Sequence, residues 1–156
     1  MYRLIFIVAA LNLVLDQVSK YWVVQVMDLP SRLYVEAIPG FFNLIMTWNR
    51  GVNFGLFSGD SDVTRWILIA VALVISGLVL YWMRRETNRY ALTSAGLLLG
   101  GAIGNVIDRI AYGAVADFLN VTCCGLNNPF SFNVADISIF MGAVGLIFFA
   151  TDHNKA

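Results

Sequence analysis

The sequence predicts an all-α integral membrane protein: four transmembrane helices with a small extracytoplasmic β-sheet segment, forming a single membrane domain over residues 1–156. Three observations carry that prediction. Of the 156 residues, 59% are apolar and 13% are charged, and mean hydropathy is +0.74. A soluble domain has about 25% charged residues, so this chain has too few to cover a water-facing surface. Four apolar stretches, residues 4–26, 66–83, 90–107 and 134–151, reach or nearly reach the length of a bilayer-crossing helix. These runs are continuous rather than alternating, which fits helices and not the strands of a barrel.

The same numbers exclude several classes. An ordinary soluble enzyme, a disordered chain and a coiled coil all need more charge. Ten basic and ten acidic side chains balance to zero, without the basic excess that a nucleic-acid partner requires.

The first span is interrupted by Asn12, Asp16, Gln17, Ser19, Lys20 and Gln25. Arg3 followed by Leu4 to Leu15 also has the shape of a signal peptide. Apolar character continues to Met27 and no small-residue cleavage site follows, so a retained helix is expected. The second and third spans contain no charge, and Asp136 lies near the start of the fourth. Gly96, Gly100 and Gly104 in the third span have the small-xxx-small spacing that lets another helix approach closely. Arg84, Arg85 and Arg89 cluster between spans two and three, which favours that side as cytoplasmic. Both termini then lie inside, and residues 28–65 and 108–133 form two external segments. In the first, Pro39-Gly40 precedes the aromatic and aliphatic run Phe41 to Trp48, and Asn49-Arg50-Gly51 follows it. That pattern reads as strand and turn, a small sheet on the membrane surface.

Ionisable residues inside a span are costly and point to function by default. Asn12, Asp16 and Lys20 are spaced four apart and share one helix face, with the acid and base in the favourable helical order. A structural pair that sets helix register and a functional pair are both compatible with this spacing. Asn105, Asp108 and Arg109 share a face at the end of span three, as a capped end with a surface ion pair or as a polar network supporting a site. Asn133 suits a helix cap, and capping would also account for Asp136 in the first turn. It leaves Asp117, the one acid in an apolar segment, unexplained. Because successive spans alternate direction, Lys20, Asn105, Arg109, Asp117 and Asp136 all arrive at the same membrane face.

The chemistry available is narrow. His153 stands alone in the polar tail, and the adjacent pair Cys123-Cys124 suits neither a zinc site nor an ordinary bridge, so no metal site and no cofactor is expected. A serine–histidine triad fails because His153 belongs to the opposite face. Ser19 and Lys20 are adjacent on a helix and point apart. Two carboxylates remain. An aspartyl pair sharing one proton can hydrolyse an amide, one member drawing a proton from water and the other protonating the scissile carbonyl. Spacing alone leaves open whether Asp117 and Asp136 meet. It also leaves open a small ion-coupled transporter, with Asp16, Lys20 and Asp136 as a relay, and a non-enzymatic membrane scaffold.

Five blocks in order, Asp16-Gln17-Val18-Ser19-Lys20, Asn49-Arg50-Gly51-Val52-Asn53-Phe54, Gly100 to Arg109, Val115-Ala116-Asp117-Phe118 and Phe132-Asn133-Val134-Ala135-Asp136, resemble those of the lipoprotein signal peptidases, or signal peptidase II. The resemblance implies an aspartic endopeptidase of the bacterial cytoplasmic (inner) membrane. It removes the signal peptide of diacylglyceryl-modified prolipoproteins, cutting just before the lipidated cysteine, and needs no cofactor. Asp117 and Asp136 would be the catalytic dyad, with Asn105, Arg109 and Asn133 supporting it. Asp16, Lys20, Asn49, Gly51 and Phe54 would shape the substrate region, and Asp108 is the next candidate acid. The partners implied are the lipidated prolipoprotein and membrane lipid, acting on a monomer, and the antibiotic globomycin is expected to inhibit. Phe54 and Phe57 are expected to help close the external segment over the substrate. Val52 and Asn53 stand where the family often has small residues, and Cys123 and Cys124 have no assigned role.

Overall fold

The computed structural model describes residues 2–51, 61–122 and 128–150. Helix α1 (Tyr2–Tyr21) continues as a π-helical turn, Trp22–Val26. A short helix α2 (Leu29–Arg32) leads into β1 (Tyr34–Ile38) and β2 (Phe42–Asn49). Then come α3 (Ser61–Trp82), a 3-10 turn at Met83–Arg85, α4 (Arg89–Tyr112), β3 (Val115–Val121) and α5 (Val134–Phe149). Among the described residues, three stretches are long and apolar enough to cross a membrane: Tyr2–Val26, Asp62–Arg85 and Arg89–Tyr112. Helix α5 is apolar but has 16 residues, about 24 Å at 1.5 Å per residue, and so falls short of the expected 134–151 span.

Helix α4 is the axis of the bundle. Its apolar window is 72% buried, against 22% for the other two long helices. Glycines make that possible. A Cβ added to Gly101 would sit 2.5 Å from the carbonyl oxygen of Ala135 on α5, and one added to Gly104 would run into the Asp16 carboxylate of α1. The expected close-approach stripe is therefore real, and Gly101 extends it to a second helix. Outward faces stay apolar: Leu11, Leu15 and Val18 on α1, Val74 and Leu78 on α3, and Phe140 and Ile147 on α5 are all exposed.

Helix α4 also runs five residues beyond the expected end at 107, to Tyr112. In its last turns Ile107, Ile110 and Tyr112 stay exposed while Asn105 and Asp108 are buried, so the polar residues there face the protein. Gly113, at φ +75°, closes the helix and turns the chain into β3.

The sheet has the order β1-β2-β3 with both pairings antiparallel. Gly40, at φ +70°, makes the β1–β2 turn. The third strand comes from the second external segment, where no strand was expected. Between Leu44↔Leu119 and Thr47↔Asp117 the β2–β3 register shifts by one residue. This bulge decides which side chain of β2 shares a face with Asp117. A regular ladder would offer Trp48, whereas the extra residue brings Asn49 round instead. On the far side of β3, Leu119 pairs with Phe132, with N···O distances of 2.8 and 3.0 Å. That bridge sets Asn133 and the start of α5 beside Asp117.

Two apolar cores flank a polar layer. One gathers Ile5, Met83, Leu92, Leu99 and Leu146 between the helices. The other puts Val23, Leu29 and Phe118 under the sheet.

Candidate active site

The polar layer is built outward from Lys20, whose side chain is only 4% exposed. Its ammonium has three donors and uses all of them. It pairs with Asp16 Oδ2 at 2.9 Å and Asp108 Oδ2 at 2.9 Å, and donates to Asn105 Oδ1 at 3.1 Å. Gln17 Nε2 bridges the two carboxylates at 3.1 and 3.2 Å. Asp108 therefore pairs with Lys20 inside the protein, not with Arg109 at a surface.

Each carboxylate of this clamp reaches the backbone of another element. Asp16 Oδ1 accepts from the Ala135 N–H at 2.9 Å, and Asp108 Oδ2 accepts from the Ala116 N–H at 3.1 Å. Ala135 precedes Asp136 and Ala116 precedes Asp117. The clamp thus fixes, through two neighbouring peptide groups, the positions of both remaining acids.

Asp117 and Asp136 are joined through amides. Asn133 Nδ2 donates to Asp117 Oδ1 at 2.7 Å, and Asn49 Nδ2 donates to Asp117 Oδ2 at 3.0 Å. Asn105 Nδ2 donates to Asp136 Oδ1 at 2.9 Å, and the Asn133 backbone N–H donates to Asp136 Oδ2 at 3.2 Å. Asn133 Oδ1 accepts from the Asp136 N–H at 2.8 Å, completing a reciprocal capping box at the head of α5. Asn133 is thus a cap, as the sequence suggests, and also a strut between the two acids. Asn105 is held the right way round because its oxygen faces Lys20 and its NH2 faces Asp136.

Asp117 is 2% exposed. Burial pushes its carboxyl up to about 6, and the nearby Asp136 charge adds to that, against the lowering effect of the Asn49 and Asn133 hydrogen bonds and of Lys20. Asp136 sits instead in the first turn of α5, where the helix dipole favours an anion. The two acids are close enough for the Asp136 charge to help raise the Asp117 carboxyl.

Arg109 differs from the other cations. It is half-buried, donates through Nη1 to the carbonyl of Asn105 at 3.3 Å, and forms no ion pair among the described residues. It lies with Asn105 at one end of a cleft of about 270 Å³, lined by Leu68, Val71, Ala72 and Ile75 of α3, Leu98 and Ala102 of α4 and Ile139 of α5.

Among the residues singled out from sequence, Asp16, Lys20, Asn49, Asn105, Asp108, Asn133, Asp117 and Asp136 converge on one connected network. Gly51, at φ +105°, turns the chain after Asn49, and its N–H donates to Asn49 Oδ1 at 2.9 Å. Phe54, Phe57, Val52, Asn53, Cys123, Cys124 and His153 lie outside the described residues. Sequence reasoning missed the role of Gln17, whose signal was a polar side chain beside Asp16 inside an apolar span.

A polar, aspartate-bearing centre set into a bundle of apolar helices defines a membrane-embedded enzyme, and known proteins specify which kind. Two solved bacterial membrane enzymes, determined by the in meso method at 2.3 and 1.9 Å resolution, match with TM-scores of 0.74 and 0.77 at 27% identity. Both alignments cover 92% of this chain, and 85% and 90% of those chains. A lipoprotein signal peptidase of Methylobacterium sp. (strain 4-46) is 43% identical over 139 residues, 89% of this chain and 83% of its own. Those of Rhodopseudomonas palustris (strain ATCC BAA-98 / CGA009) and Beijerinckia indica are 39% and 42% identical, over 94% and 95% of this chain and 90% and 87% of theirs. The family model for signal peptidase (SPase) II matches residues 8–151. The chain belongs to the signal peptidase II family. It is a peptidase, and the transporter and scaffold readings are not favoured.

Proposed function

We propose that this protein is the aspartic endopeptidase that removes signal peptides from diacylglyceryl-modified prolipoproteins, cutting just before the lipidated cysteine, with Asp117 and Asp136 as its catalytic dyad. One observation carries the assignment of the dyad. Two aspartates from a strand and a helix are held in one amide cradle by Asn49, Asn105 and Asn133, and Asn105 also lines an apolar cleft. In the reactive state, populated below about pH 6, Asp117 holds a proton and Asp136 serves as the base. Asp136 takes a proton from water as the oxygen attacks the scissile carbonyl carbon, and Asp117 gives its proton to the carbonyl oxygen. Collapse of the tetrahedral intermediate breaks the C–N bond. Asp136 then protonates the departing amine, and Asp117 recovers its proton from the gem-diol.

The acyl chains of the substrate occupy the cleft between α3, α4 and α5, which keeps them in lipid while the peptide bond meets the dyad. Helix α5 acts as a fourth, short span paired along α4. The Arg84, Arg85 and Arg89 cluster faces the cytoplasm of the cell's inner membrane, both termini lie on that side, and the dyad lies toward the extracytoplasmic face. The enzyme acts as a monomer and is inhibited by globomycin.

Cleavage of a lipidated prolipoprotein and an unlipidated control by purified protein in mixed detergent and lipid tests the reading. Wild type cuts only the lipidated form, and Asp117→Asn and Asp136→Asn each abolish the cut. Tolerance of either substitution overturns the dyad. Failure of folded wild type to cut anything overturns the function.

A further inference from the structure

We propose that Arg109 is a specificity-determining residue that recognises the diacylglyceryl group through the ester carbonyls of its glycerol. This rests on the peptidase reading above. The guanidinium offers five N–H donors, and only one hydrogen bond, to the carbonyl of Asn105, is made among the described residues. It is half-buried at the end of an otherwise apolar cleft, one α4 stripe with Leu98, Ala102 and Asn105. Its charge interacts with Asp117, Asp136 and Asp108 without an ion pair to any of them. A partly desolvated cation with unused donors calls for acceptors from a ligand.

Charge decides what kind of acceptor. Among the described residues the cluster has four carboxylates, Asp16, Asp108, Asp117 and Asp136, and two cations, Lys20 and Arg109. With one proton on the dyad it carries one net negative charge, and without it two. A free anion or a phosphate headgroup is therefore repelled, and a neutral ligand with strong acceptors is favoured. The paired ester carbonyls of a diacylglyceryl group are such acceptors. They lie where acyl chains end and polar glycerol begins, which matches the passage from the apolar lining to Arg109. The planar fork can serve two carbonyls at once, which a lysine ammonium does less well.

The test compares two prolipoproteins carrying chains of equal length, one diacyl (ester) and one dialkyl (ether), the second lacking both carbonyls. With wild type, the ether substrate is expected to lose about tenfold in kcat/KM, mostly through KM, as for loss of charge-assisted hydrogen bonds. Arg109→Met should lose about as much on the ester substrate and no longer distinguish the two. If Arg109→Met fails to fold or turn over, Arg109→Lys is read instead, and a smaller ester preference supports the proposal. Equal cleavage of ester and ether by wild type overturns it, as does an undiminished preference in Arg109→Lys or Arg109→Met. Wild type that cuts neither substrate overturns the peptidase reading itself, a separate result.

Discussion

Replacing Asp117 by asparagine should abolish catalysis and make the fold progressively more stable, relative to wild type, as pH rises. The carboxyl has an ordinary value of 3.8 and is pushed to about 6 in the native state, chiefly by burial and then by Asp136. Below 3.8 the native and unfolded chains both hold the proton. Between 3.8 and 6 the unfolded chain releases it and the native state retains it. Above 6 both are ionised, and the native state carries a buried charge beside another acid. The stability from this group is thus complete at low pH and lost as pH rises through the native value. The interval of about two units corresponds to about 3 kcal/mol. Asparagine does not titrate, so stability of Asp117→Asn relative to wild type should climb by about 3 kcal/mol between pH 4 and pH 8. Altered hydrogen bonding to Asn49 and Asn133 shifts that curve vertically without changing its slope. Equilibrium unfolding in mixed micelles, followed by fluorescence of the four tryptophans, measures it. A relative stability that stays flat from pH 5 to pH 7 would refute the argument that burial holds the proton on Asp117.

The same proton sets the alkaline limb of the rate profile: kcat/KM should fall as pH rises through about 6, and an invariant rate from pH 5 to pH 8 contradicts Asp117 as the acid. Lys20→Met leaves Asp16 and Asp108 facing each other in a buried site. It should cost about 3–5 kcal/mol by thermal or denaturant unfolding, and adding Asp108→Asn should recover part of it. Gly101→Val drives a side chain into the Ala135 carbonyl and should displace Asp136, destroying cleavage without touching the dyad. Gly77→Ala, with nothing within 4 Å of the new methyl, should keep full activity and gain up to about 1 kcal/mol on unfolding. Asn133→Ala removes a helix cap and the strut to Asp117, costing about 1–2 kcal/mol on unfolding together with most of the cleavage rate.

What could be read from the chain alone follows from local rules. Long uncharged runs can only be helices in lipid, so the three long helices were legible from composition and length. Periodicity of 3.6 put Asn12, Asp16 and Lys20 on one face, and alternating span direction brought Lys20, Asn105 and Asp136 to one end of the bundle. Small-xxx-small spacing foretold the close seat of α1 against α4. The aspartates stood out because an acid in an apolar setting is expensive and so is kept for a reason.

Tertiary structure decided the pairings, because they depend on distances between segments far apart in the chain. Spacing made Asp108 a neighbour of Arg109; packing made it the partner of Lys20, 88 positions away (108 − 20). The third strand was invisible because Val115–Val121 becomes a strand only by pairing with β2 and Phe132. A one-residue bulge, which no local pattern encodes, turned Asn49 rather than Trp48 toward Asp117. The raised carboxyl of Asp117 is likewise a product of assembly. Its burial, the nearness of Asp136 and the amides and Lys20 that oppose them arise only when two strands and two helices meet, and electrostatic energies depend on those final distances and on the water excluded between them.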